Sequence, residues 1–238
     1  MRVYTNNQLI TSRAKWARRI APLTMFFLIG GLITNFMSMS QPQYFQPTLI
    51  LLALGFVFAT ASSHLVNRWV REPRADQVLS ATLKKFGNDF ALFNYTAPLP
   101  HVLLTPSRLY AIVVKNQDGQ ITVNGRRFSR KFTWSRFFRF FADEGLGAPA
   151  AEAENRVDKL AKFLRQNLSE TDLPEIKPLI VFTHKAVDLV VENADIPVMR
   201  TNELKTYLRD QEKSRAISAP QRHKLSQLLA GQVEEAKE

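Results

Sequence analysis

Residues 20–67 read IAPLTMFFLIGGLITNFMSMSQPQYFQPTLILLALGFVFATASSHLVN, a run of 48 positions without an Asp, Glu, Lys or Arg in a chain that is 22% charged. A hydrocarbon core about 30 Å thick is crossed by about 20 helical residues, and this run holds two such lengths, Ile20–Met39 and Thr48–Val66. Between them stands SQPQYFQP, residues 40–47, polar but uncharged. Its prolines cannot continue a helix, and its Tyr and Phe suit the membrane interface. The stretch therefore predicts a two-helix transmembrane hairpin over residues 20–70.

The basic residues set the expected orientation, because Lys and Arg next to a span are retained on the cytoplasmic side. Arg2, Arg13, Lys15, Arg18 and Arg19 precede the first span with no acid among them, and Arg68, Arg71 and Arg74 follow the second. The turn carries no charge, so both termini are expected in the cytoplasm. Ser38-Met39-Ser40 could serve as a small-x-small signal-peptidase site, but the apolar region before it is too long for a signal peptide and a second span would remain. Gly30, Gly31, Gly55 and Ala59 are small residues that let helices in a membrane approach closely, Gly55 and Ala59 at small-xxx-small spacing. Neither span holds a charge, which argues against a proton relay or ion path.

The chain has no cysteine, so a disulfide framework, a thiolate metal site and a cysteine nucleophile are excluded. His64, His101, His184 and His223 are too scattered for a zinc pattern, and neither metal nor cofactor is expected. The net charge of +11 is uneven: residues 1–70 hold six basic residues and no acid, leaving 26 basic against 21 acidic residues, or +5, beyond them. That sign suits an anionic partner, phospholipid headgroups or nucleic acid.

The remainder reads as one compact α/β domain over residues 71–211, flanked by a basic N-terminus, 1–19, and a polar tail, 212–238. Leu79, Leu83 and Phe86 recur at helical spacing over 76–86. Short β-rich runs follow at 90–95, 101–105, 109–115 and 120–123, and the Asp118-Gly119 pair predicts a hairpin joining the last two. Helical spacing returns over 132–141, through Trp134, Phe137, Phe138 and Phe141, and over 152–168. Strands are expected at 178–182, 187–191 and 197–199, then a helix capped by Thr201 that runs to Leu208. In the tail, Leu225, Leu228, Leu229 and Val233 could form one short amphipathic helix.

These elements resemble the nuclease-related domain, NERD, a bacterial relative of the restriction-endonuclease-like fold, over about residues 76–210. The segment that carries the resemblance is PHVLLTPSRLYAIVVKNQDGQI, residues 100–121, with Trp134, Pro149 and LIVFT at 179–183 in support. The family pattern is a strand opening Asp-His and a strand closing Glu-x-Lys-Asn. The resemblance implies an α/β domain with a mixed central sheet, standing on the membrane hairpin, in the bacterial cytoplasmic (inner) membrane. It also implies metal-assisted phosphodiester cleavage, with carboxylates holding the cation beside the lysine. Carried over residue by residue, that machinery is incomplete: the family Asp falls on Pro100 and the family Glu on Val113, while Lys115 remains, followed by Asn116. Asp76 falls near an acidic position on the first helix, yet one carboxylate makes no magnesium site.

A domain without those acids is expected to be non-enzymatic, a membrane-anchored scaffold or accessory subunit. Its partners would be membrane lipids and a protein in the membrane, either a larger complex or further copies of itself. The basic cluster Arg126, Arg127, Arg130, Lys131, Arg136 and Arg139 offers anion contact, to lipid headgroups or to nucleic acid. The alternatives are thus a membrane-tethered nucleic-acid binder and, with acids relocated, an active metal-dependent nuclease.

Overall fold

The computed structural model describes residues 1–132, 145–169, 172–211, 216–231 and 233. Two compact units divide the chain, and the division does not follow sequence order: Met1–Asn6 belongs with Ala75–Lys131 and Gly145–Glu238, whereas Asn7–Arg74 stands apart.

The second of these units is a helical pair, α1 (Asn7–Ser38) and α2 (Phe45–Trp69), joined through a short 3-10 turn at Pro42–Tyr44. Both helices overrun the apolar spans, since the backbone ladder persists wherever nothing interrupts it. Their most apolar windows are only 6% and 11% buried, which a helix in the core of a soluble domain would not be. Phe26, Ile29, Ile33, Ile50 and Val57 are among the side chains left facing outward. The pair is close-packed at its glycines. A Cβ on Gly31 would stand 2.7 Å from Leu52 Cδ2, and one on Gly55 would stand 2.7 Å from Leu28 Cδ2. Each glycine thus receives a leucine of the other helix. Phe27 and Phe58 stack at 5.0 Å beside them. Gly30 meets only Leu51 Cδ1 at 3.7 Å, and Ala59 is half-buried.

The α/β unit is built on a six-stranded mixed sheet: β1 (Arg2–Thr5), β2 (Ala91–Asn94), β3 (His101–Leu104), β4 (Leu109–Lys115), β7 (Ile176–Phe182) and β9 (Val198–Arg200), in that order. A smaller sheet runs β6 (Arg127–Arg130), β5 (Gly119–Gly125), β8 (Val187–Ala194). Helix α4 (Pro149–Asn167) covers one face of the large sheet through Leu160 and Leu164, joined by Leu225 and Leu229 of α6 (Ala219–Ala230). Helices α3 (Ala75–Leu83) and α5 (Leu204–Gln211) cover the other through Leu79, Leu83, Leu204 and Leu208. With both faces covered, β4 is apolar along nearly its whole length, as a strand inside a sandwich of helices must be.

The short helix expected in the tail is present as α6, capped by Ser218, with Leu225 and Leu229 in the core; Val233 lies beyond its end. Three other expectations change. The N-terminal segment is more than a basic appendage: Arg2–Thr5 forms β1, parallel to β2, and Asn6 N–H donates to Asn94 O at 3.0 Å. The Asp118-Gly119 pair does not make a hairpin, because both edges of β4 are taken by β3 and β7, and the chain leaves through Gly119 (φ +77°) into the second sheet. Thr201 does not cap a helix; its hydroxyl donates to Phe182 O at 2.9 Å, and α5 begins at Leu204. The expected helix at 132–141 lies outside the described residues after Phe132.

Candidate functional site

The C-terminal end of β2, the start of β3 and the C-terminal end of β4 meet at one end of the large sheet. Strands β3 and β4 are antiparallel with Val102 opposite Ala111, and continuing that register by two residues sets Pro100 opposite Val113. Those are the two positions on which the sequence resemblance is expected to place the family's acids. Pro100 is half-buried, its carbonyl accepting from Tyr95 N–H at 2.8 Å. Val113 is fully buried and packs among Ile121, Val123, Ala150, Ala153, Ile180 and Phe182.

Alternation along β4 puts Leu109, Ala111, Val113 and Lys115 on the α4 face. Lys115 finds its counter-ion there: its ammonium donates to Glu152 Oε2 at 2.7 Å. The other carboxylate oxygen of Glu152 accepts from Arg156, one turn along α4, and Arg156 also donates to Ile112 O. One carboxylate is shared by two cations. Burial pushes the Glu152 carboxyl up, but the hydrogen bond from Lys115 and the charges of Arg156 and Lys115 outweigh it and hold it below its ordinary value.

The opposite face carries a neutral cluster. Asn94, with no exposed surface, accepts at Oδ1 from His101 Nδ1 at 2.9 Å and donates through Nδ2 to Thr5 Oγ1 at 3.2 Å and Ser80 Oγ at 3.5 Å. The Tyr95 ring packs edge-on to His101 at 5.1 Å. Asp76 is buried in the first turn of α3, four residues before Ser80 and so on the same helix face. It approaches the sheet from the side opposite Lys115. Among the described residues no three His, Asp or Glu side chains gather as a metal site.

Of the basic cluster, Arg126 pairs with Glu154 on α4, and Arg130 pairs with Asp118, with Nε donating to Asp118 O at 2.9 Å. Arg127 and Lys131 are exposed, and Arg136 and Arg139 lie outside the described residues. Sequence reasoning missed Glu152 and Arg156. Their i, i+4 spacing was visible, but nothing local ties Glu152 to a lysine 37 residues earlier.

No curated protein and no solved structure matches the chain. A family model described as a nuclease-related domain matches residues 68–183, a span that takes in α3, β2 to β7 and α4, with Lys115 and Glu152. Residues 68–183 of this chain are a nuclease-related domain, NERD, as the pattern at 100–121 implied.

Proposed function

We propose that this chain is a non-enzymatic, membrane-anchored scaffold or accessory subunit whose nuclease-related domain has lost the means to hold a catalytic cation. One observation supports the reading: Val113, the position to which the resemblance assigns the second family acid, is sealed in an apolar cluster, and the register of β3 and β4, extended two residues beyond Val102 and Ala111, would set it opposite Pro100, the position assigned to the first. Cleavage of a phosphodiester needs a cation to stabilise the charge that develops on phosphate, and without its ligands the domain forfeits several kcal/mol of that stabilisation. Lys115, freed of that role, is a surface-seeking lysine paired to Glu152. The full-length protein in detergent, given single- and double-stranded DNA and RNA with magnesium or manganese, is expected to leave all of them intact; cation-dependent cleavage overturns the reading.

The membrane placement has a topological argument behind it. Strand β1 precedes the hairpin and β2 follows it, yet the two hydrogen-bond in one sheet. Strands cannot pair through a bilayer, so a hairpin between them must leave and return on one side. Two crossings satisfy that, and the arginines flanking the spans make the cytoplasm that side. Single cysteines introduced into this cysteine-free chain test it: Gln43→Cys should react with an impermeant maleimide added outside intact cells, and Ser12→Cys only after lysis. Removal of a signal peptide after Ser40 would also remove β1, and an intact N-terminus on the mature protein checks that. Lipid headgroups and a protein partner in the membrane are the partners this arrangement favours.

A second reading has its own support. Glu152 stands 2.7 Å from Lys115 and returns, from a helix, the carboxylate and lysine pair that β4 lacks. An active nuclease with relocated acids would use Glu152 as a ligand, and its cleavage would disappear in Glu152→Gln.

A further inference from the structure

Helix α1 carries two seams, one closed inside the hairpin and one open, and we infer that the open one pairs two copies of this chain through Asn35. The buried residues of α1, Ile10, Ala17 and Gly31, all fall on one position of a seven-residue repeat, and so do those of α2, Thr48, Gly55, Ser62 and Trp69. Two helices packed along their length share such a repeat. The hairpin closes on itself along that line, where Gly31 and Gly55 receive Leu52 and Leu28. A second line runs beside it. Met25, Leu28, Leu32 and Asn35, with Met39 just past the end of α1, follow one another in steps of three and four, the spacing of a helix seam, and every one of them is exposed.

Asn35 is out of place on a lipid-facing stripe. Thr34, Thr48 and Thr60 each donate a hydroxyl to a carbonyl of the preceding turn, Gly30 O at 3.0 Å, Tyr44 O at 2.8 Å and Phe56 O at 3.0 Å. The Asn35 amide makes no hydrogen bond among the described residues. The inference rests on the reading that the hairpin spans the membrane. On that reading Asn35 sits four residues, about 6 Å, inside the Met39 end of the first span, where an unpaired amide is unfavourable. A second copy is the occupant that fits, because an amide is its own complement: about a two-fold axis normal to the membrane, Asn35 of each copy donates to and accepts from Asn35 of the other. Copies inserted in one orientation present α1 in parallel, so Leu32 also meets Leu32. Neither span carries a charge, so nothing on the stripe calls for a partner of opposite sign. A single Asn in such a seam fixes register and the number of helices, and a two-fold contact closes at the dimer.

The absence of native cysteine makes the test direct. Full-length Leu32→Cys, reconstituted in liposomes and oxidised with a lipid-soluble copper catalyst, is expected to form disulfide dimers. Ile33→Cys is as exposed but lies two residues from Asn35, on the other side of α1, and should stay monomeric. A hydrogen bond between helices in a membrane changes their association roughly three- to twentyfold, so adding Asn35→Leu to Leu32→Cys should lower the cross-linked fraction by about threefold or more, while Asn35→Gln, which keeps the amide, should preserve most of it. Only monomer in chains that resist alkaline extraction, equal cross-linking of Ile33→Cys, indifference to Asn35→Leu, or a loss with Asn35→Gln as large as with Asn35→Leu would overturn the pairing. Release of the chain from the liposomes by alkaline extraction would overturn the membrane reading beneath it as well.

Discussion

Two polar clusters occupy the same end of the six-stranded sheet, one on each face, and they obey different rules. On the α4 face Lys115, Glu152 and Arg156 form a charged group whose side chains are 14%, 39% and 14% exposed. On the α3 face Asn94, His101, Thr5 and Ser80 form a neutral one around an amide with no exposed surface. The charged cluster holds Lys115, which the family resemblance singles out, and water reaches its carboxylate, so its ions can be altered at modest cost. The other cluster holds His101, which follows Pro100 as the His follows the Asp in the same pattern, and it ties β1 to β2 and α3 around a fully buried amide, where a lost partner costs more. The pattern thus falls on both faces, and the surroundings set how far each cluster can be changed.

The harshest way to break that contrast is to restore an acid on the charged face. Val113→Glu would bury a carboxylate among Ile121, Val123, Ile180 and Phe182, at a cost of about 3–5 kcal/mol unless an ion pair forms. Chemical denaturation of the full-length protein in detergent reads it out. If Val113→Glu were as stable as the parent, Lys115 would have left Glu152 to meet the new acid, and the charged cluster would still be a working site.

The next effect belongs to the neutral face. Asn94→Ala removes the acceptor for His101 and the donor to Thr5 together, and should destabilise the α/β unit by about 2–3 kcal/mol. Hydrogen exchange should speed up first in β1, whose ladder to β2 is only four residues long. Equal loss of protection throughout the sheet would contradict the claim that Asn94 secures β1.

Glu152→Gln should cost less, about 1 kcal/mol, because the carboxylate is partly in water. It should also change the response to acid. The folded Glu152 carboxyl titrates below its ordinary value of 4.5, so the unfolded state takes up the proton first. The contribution of Glu152 is present in full above that value and is lost as pH falls through the lower folded one. The stability difference between the parent and Glu152→Gln should therefore be full and level above about pH 4.5 and shrink as pH falls below it; a difference that did not shrink there would mean the carboxylate charge is not what Lys115 and Arg156 hold.

How far each region could be read from sequence follows the range of the interactions that make it. The spans and β4 declare themselves through local composition, and β4 was legible to the residue, Leu109–Lys115. The expectation that Pro100 and Val113 replace two acids came from the family pattern and not from the periodicity of the strands. What joined β1 to β2 was not: Arg2–Thr5 is four residues of mixed polarity beside a much stronger apolar signal, and its partner lies beyond the whole hairpin. Asp118-Gly119 misled for a related reason. A turn signal reports local backbone geometry and is blind to whether the strand before it still has an edge to offer. Glu152 was in view as a helix residue, and only the fold brings it to Lys115.

The smallest effect decides what the neutral cluster is for. Asn94 Nδ2 stands 3.2 Å from Thr5 Oγ1 but 3.5 Å from Ser80 Oγ, at the limit where a hydrogen bond contributes little. Thr5 and Ser80 are both half-buried, so it is the distance that separates the two contacts. Ser80→Ala should then cost no more than about 0.5 kcal/mol, and Thr5→Val about 1 kcal/mol with faster exchange in β1. If the order were reversed, the cluster would be anchoring the first helix of the nuclease-related domain, close to Asp76, and the strand that precedes the hairpin would be held by its backbone ladder, the Tyr4–Phe93 ring stack and the hydrogen bonds of Met1 and Arg2 to Phe86 O and Asn88 O.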